Sequence, residues 1–146
     1  MGQQQLLLII LVTLIVALAT FLALSAMNEG ARNAVIDGVK TDLLELSVEA
    51  QGYYIRPVGM GGGGRTFNDI SFDHLSISGV VTGASNEIVT NMNATYIINA
   101  ISSTEFMVTA EFNDNTNRFL AIRVCQNQNS LGQVGINEAP EPPPCI

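Results

Sequence analysis

Charge is what this sequence has least of. Charged side chains make up 13% of its 146 residues, about half the roughly 25% usual in soluble domains. None lies between residues 3 and 28; all 6 Lys and Arg and all 13 Asp and Glu fall at or beyond Glu29. Cations are the scarcer sign, and the net charge of -7 excludes the basic patch of a nucleic-acid binder. A second long apolar run is missing, which excludes a multi-pass membrane protein. Proline is absent before Pro57, so no helix breaker interrupts the first 56 residues. The G-x-S-x-G and G-x-x-x-x-G-K-[ST] motifs are absent, and no nucleophile, base and stabiliser can be grouped; the chain is not expected to be an enzyme. The one histidine, His74, has no cysteine, histidine or carboxylate cluster around it. No cofactor or metal site is expected, since a zinc site needs four ligands at compact spacing. Asp69 with Asp73, and Glu105 with Glu111, are read as solvated surface charge.

What is present begins with residues 6–24, nineteen residues interrupted only by Thr13 and Thr20. As an α-helix this run is about 28 Å long, against a bilayer core of roughly 30 Å. Fourteen large apolar residues fill it: Leu6, Leu7, Leu8, Ile9, Ile10, Leu11, Val12, Leu14, Ile15, Val16, Leu18, Phe21, Leu22 and Leu24. A secretory signal peptide fits poorly, because its n-region is basic and its apolar part shorter; here Met1-Gly2-Gln3-Gln4-Gln5 precedes the run. The positive-inside rule asks for flanking Lys or Arg, and prior removal of a basic leader would account for their lack.

The helix pattern continues beyond Asn28. Ala31, Val35, Val39, Leu43, Leu46, Ala50 and Tyr53 recur every three or four residues, one face of an α-helix. Gly30 and Gly38 are soft spots costing about 1 kcal/mol each relative to Ala. One helix is expected from about Gln3 to Tyr54, roughly 78 Å long, apolar all round in segment 1–28 and amphipathic in segment 29–56. Residues 57–71, with four consecutive glycines, read as a flexible linker.

From there to residue 124 the period changes to two. Four strands are expected, over 75–81, 96–101, 106–112 and 119–124, the last two joined as a hairpin by the Asn-rich run 113–117. The sheet's apolar face and the helix stripe (Val35, Val39, Leu43, Leu46, Ala50, Tyr53) bury each other most economically. The expected class is therefore α+β: a long N-terminal helix on a four-stranded antiparallel sheet over residues 72–124. Segment 125–146 reads as a strandless tail bounded by Cys125 and Cys145. A disulfide between them is favoured over free thiols or half a metal site, and implies an oxidising compartment. Asn93-Ala94-Thr95 matches the N-glycosylation pattern, a three-residue match frequent by chance.

Taken together, the uncharged run, its amphipathic continuation, the linker, the strands and the bracketing cysteines resemble the type IV pilin family. The resemblance covers the whole chain in organisation. It implies a helix that first anchors the subunit in the inner membrane, is then extracted by a pilus assembly machinery, and packs with copies of itself as the core of an extracellular filament used for attachment or motility. It also implies a docking group near the start of the helix, usually a glutamate; this chain has Gln5 as its nearest stand-in. The rival expectations are a secretion-system pseudopilin, and a single-span membrane protein with an extracytoplasmic binding domain.

Overall fold

The computed structural model describes residues 2–114, 116–138 and 141–145. Met1, Asn115, Ala139, Pro140 and Ile146, which enter the expected segment bounds, the 113–117 loop and the proline-rich tail, lie outside the described residues. The chain divides into two compact units, one ending at Asp37 and one beginning at Gly38.

One α-helix, α1, spans Gly2–Ile55, and neither Gly30 nor Gly38 interrupts it. In the first unit its apolar side chains stand exposed on every side as far as Ala34, while Val35 and Ile36 are half-buried. Thr13 and Thr20 donate their hydroxyls to the carbonyls of Ile10 and Val16, which removes polar cost from an otherwise apolar surface.

The second unit is the body. Among the described residues seven strands form one antiparallel sheet: β1 (Val80–Thr82), β2 (Ile88–Thr90), β3 (Ala94–Ile101), β4 (Glu105–Phe112), β5 (Arg118–Cys125), β6 (Asn129–Leu131) and β7 (Gly135–Ile136). The order β1-β2-β3-β4-β5-β6 follows the chain, while β7 pairs with β5. Every link is thus a hairpin or short return, the arrangement that alternating patterns with polar turns favour. Val39, Leu43, Leu46, Ala50 and Tyr53 of α1 are buried, as are Val89, Tyr96, Val108, Leu120 and Ile122 from the strands. Val35 is half-buried.

The expected count of four strands is corrected to seven. The three long central strands fall close to the expected positions. The 75–81 candidate does not: a 3-10 turn occupies Phe72–His74, and pairing starts only at Val80. The alternation there is genuine, with Leu75 buried and Ile77 half-buried. However, the Ser76 N–H donates to the Glu49 carboxylate on α1 rather than to a neighbouring strand. Strands β2, β6 and β7 are too short, at two or three residues, for a period-two pattern to register. A register shift between Ile98 and Ala100 puts Ala100 opposite Met107 and Ile101 opposite Phe106, so the simple alternation expected over 96–101 ends at Ile98.

The glycine-rich run is also not the flexible connection expected. It caps α1. Gly63, Arg65 and Gly64 donate their N–H groups to the carbonyls of Tyr53, Tyr54 and Arg56, satisfying acceptors that a helix end otherwise leaves open. Gly62 and Gly63 are buried. A Cβ on Gly63 would overlap the Thr66 carbonyl and lie 2.7 Å from the Tyr53 ring.

Where the helix meets the sheet, Tyr96 donates its hydroxyl to Asp42, and Asn91 donates to the same carboxylate at 3.1 Å. Burial first, then the hydrogen bond to Asp42 and its negative charge, holds the Tyr96 phenol well above its usual value; the Asn91 hydrogen bond opposes this.

Two outcomes are expected for the full chain in detergent. Gly63→Ala lowers the unfolding free energy by about 1–3 kcal/mol, the usual cost of overpacking, as read by denaturant titration. A folded-state phenol pKa above the unfolded 10.0 means the unfolded chain ionises first. Stability is therefore full below about pH 10 and falls as pH rises towards the folded value. Tyr96→Phe, which costs about 1–2 kcal/mol at neutral pH, flattens this alkaline fall; an unchanged slope in alkaline melts refutes the assignment.

Candidate assembly interface

The most unusual surface in the chain is the first half of α1. Exposures of the large apolar residues across 6–24 run from 49% at Leu11 to 70% at Phe21, and Met27 is 71% exposed. Gln5 lies in the same helix and is also exposed. The segment is long and apolar enough to cross a membrane, with a mean hydropathy of 3.1 and nothing in the window buried. Water cannot cover such a surface cheaply: each Leu, Ile, Val or Phe fully buried there gains about 1.5–3 kcal/mol. The only chemistry this surface offers is association with other apolar matter.

The body below Gly38 is finished by contrast. Its tail is tied at three places. Cys125 and Cys145 form a disulfide with Cα atoms 5.8 Å apart. Arg123, only 13% exposed, donates to Glu105 on β4 and to Glu141 in the tail at 2.6 Å. Its Nε is buried without a hydrogen-bond partner. Third, Ser47, Gln51 and Tyr54 form a polar seam on α1 at i, i+4 and i+7. Asn129 donates to the Ser47 hydroxyl at 2.8 Å, Gln51 donates to Asn129 at 3.0 Å, and Tyr54 donates to Gln126 at 2.9 Å. The tail expected to be strandless contributes β6 and β7 along the free edge of β5.

Sequence reading missed Arg123, Asn129 and the seam. A signal existed: Ser47, Gln51 and Tyr54 follow helical spacing beside the apolar stripe, where a polar row against a cysteine-bracketed tail is a natural pairing. Nothing in the sequence pointed to Arg123 bonding Glu141 across a gap of eighteen residues.

The remaining sequence candidates are dispersed. Asn93 is half-buried in the β2–β3 turn; its N–H donates to Asn91 and its carbonyl accepts from Asn113. His74 lies 4.9 Å from the Tyr53 ring and 3.2 Å from the Ser71 hydroxyl. Asp69 and Asp73 are exposed; Glu105 pairs with Arg123, and Glu111 is half-buried on β4. Among the described residues no three of His, Cys, Asp and Glu gather as a metal site. The cleft lined by Asp42, Glu45, Ser76 and Asn91 holds about 130 Å³, small beside the roughly 300–1,000 Å³ of ligand pockets.

No protein-family model matches the chain, nor does any curated protein or solved structure.

Removing the disulfide tests how the tail is held. Cys125→Ser with Cys145→Ser is expected to lower stability by about 3 kcal/mol, the chain-entropy value for a loop of this length. Denaturant unfolding of the full chain in detergent measures it; a cost near zero would mean that the seam and Arg123 hold the tail unaided.

Proposed function

We propose that this chain is the structural subunit of an extracellular helical filament of the type IV pilus kind, held together by packing of its N-terminal apolar helices. The observation that carries the reading is the combination in one chain of an uncovered, uncharged apolar helix over residues 6–24 and a body with a closed core and a disulfide. Before assembly the helix sits in a membrane, where its length and hydropathy suit it. On extraction it exchanges lipid for copies of itself, and the apolar surface stays covered throughout. The disulfide favours an oxidising compartment, so the body belongs outside the cytoplasm.

The helix also suits the role mechanically. Apolar packing among identical helices is non-directional and tolerant of small rotations. A repeated operation that does not close on itself gives an open filament. The body, with its charges and hydrogen-bonded turns, would then face solvent and whatever surface the filament meets. Attachment or motility is the use such a filament serves in the family that the chain resembles. A pseudopilus subunit shares this logic over a shorter polymer, and a single-span anchor shares its first step alone.

Electron microscopy of material sheared from the native cells, with mass spectrometry of the same fraction, decides between these. The expected result is filaments built of this chain, at a mass two units below that of the reduced protein. Retention of all the protein in the membrane fraction, with no filaments under several growth conditions, replaces the filament with the single-span or pseudopilus reading.

A further inference from the structure

A cleft opens on one flank of α1, between the helix and the segment that carries the 3-10 turn Phe72–His74. Glu49, Gly52, Tyr53 and Arg56 line it from the helix, His74 and Ser76 from the segment, and it holds about 200 Å³. The four helix residues fall at i, i+3, i+4 and i+7, which sets them on one face. The volume is room for roughly six or seven waters, and so for a molecule of about as many heavy atoms. The cleft has an aromatic wall, with the Tyr53 and His74 rings 4.9 Å apart.

The lining carries one charge of each sign, and the two are not paired with each other. Arg56 is exposed and has no ion-pair partner among the described residues. Glu49 accepts the Ser76 N–H with one carboxylate oxygen, and its other oxygen takes no hydrogen bond from the described residues. The two residues stand about 10 Å apart along the helix, two turns rather than the one at which helix ion pairs form. Between them lies Gly52. Glycine is a poor helix former, and packing does not ask for it here, since a Cβ at Gly52 would meet no atom within 4 Å. Its missing side chain leaves the floor of the cleft bare between the two charges.

Nearby charge narrows what fits. Asp69 acts on the Tyr53 hydroxyl through its negative charge, and Asp73, beside His74, is bonded to the Asn86 amide. Glu49, Asp69 and Asp73 outnumber Arg56 and Arg65, so a simple anion is repelled; a simple cation is repelled by Arg56. A molecule that carries both charges satisfies both ends. We infer that this cleft binds a small zwitterion, a free amino acid. Its ammonium group meets the Glu49 carboxylate, its carboxylate meets the Arg56 guanidinium, which presents a fork of donors suited to it, and its methylenes lie across Gly52 against the aromatic wall. Two helical turns between the charged residues favour an amino acid whose charges are several bonds apart over glycine. The site does not depend on the filament reading, and it makes the body a binding module whether or not the chain polymerises.

Saturation-transfer NMR on the full chain in detergent micelles tests this, with glycine, β-alanine and 4-aminobutyrate as probes. Saturable binding is expected, tightening from glycine to 4-aminobutyrate. Butyrate and butylamine carry one charge each and are expected to bind about tenfold more weakly than 4-aminobutyrate. Arg56→Gln and Glu49→Gln are each expected to weaken 4-aminobutyrate about tenfold. Both leave the fold in place: the Arg56 side chain is bonded to none of the described residues, and a glutamine at 49 keeps an acceptor for the Ser76 N–H. Gly52→Leu fills the bare floor and is expected to abolish binding, with the thermal midpoint unchanged or raised because leucine is the better helix former. The site is overturned if none of the three amino acids binds saturably, or if butyrate or butylamine binds as tightly as 4-aminobutyrate. It is equally overturned if Arg56→Gln or Gly52→Leu binds like the wild type.

Discussion

An apolar helix with no partner among the described residues is the constraint from which the rest of the molecule follows. Residues 6–24 have nothing to pack against within the described residues, and their large apolar side chains are about half or more exposed. Burial of apolar area is the dominant favourable term in folding and association, so a surface like this dictates its surroundings. It also dictates composition. A charged side chain placed in lipid or in a bundle of copies would cost several kcal/mol unless paired, and the chain keeps all nineteen of its acidic and basic residues at or beyond Glu29.

The same helix must then change character without a break. From Gly38 onward one stripe is buried on the sheet, while Asp42, Glu49 and Ser47 reach sideways to Tyr96, Ser76 and Asn129. Those side contacts settle what apolar packing alone would leave loose. The Glu49 carboxylate takes the N–H of Ser76 and so holds the chain on the helix flank before β1 begins. The Ser47–Asn129 contact does the same for the tail. The body therefore has a core completed by its own chain, and a share of its stability comes from polar groups that find partners across elements, each worth about 0.5–1.5 kcal/mol net.

How much of this was legible in advance depended on the range of the interaction. The helix bounds, the three central strands and the cysteine pairing follow from local period, turn residues and compartment chemistry, all written within short windows. The glycine run 61–64 was misjudged because glycine permits both a flexible tether and a close-packed cap; only the positions of the Tyr53 and Thr66 carbonyls decide between them. Residues 75–79 alternate as a strand would, yet the partner is a helix, and alternation does not say what lies on the buried side. Strands β6 and β7 exist because β5 offers them an edge, a property of the fold and not of their own few residues. The apolar surface was legible at once, since none of the described residues covers it. The grouping of Arg56 and Arg65 with Val58 and Met60 was not, because the cap must first bring the loop back over the helix end.

That last point bears on register. Among apolar helices a neighbour gains nearly the same free energy over a range of axial offsets, because the hydrophobic effect has no direction. A directional group is needed, and the apolar segment has few. The hydroxyls of Thr13, Thr20 and Ser25 are spent on carbonyls of their own helix. Gln5 can accept a hydrogen bond from a neighbour's ammonium group but cannot form an ion pair with it. An amide is cheaper to bury than a carboxylate, and correspondingly weaker as a latch. In a filament of such subunits, cohesion comes from the apolar helices. A directional contact between neighbours then falls to groups outside the apolar segment, where all the charged residues lie.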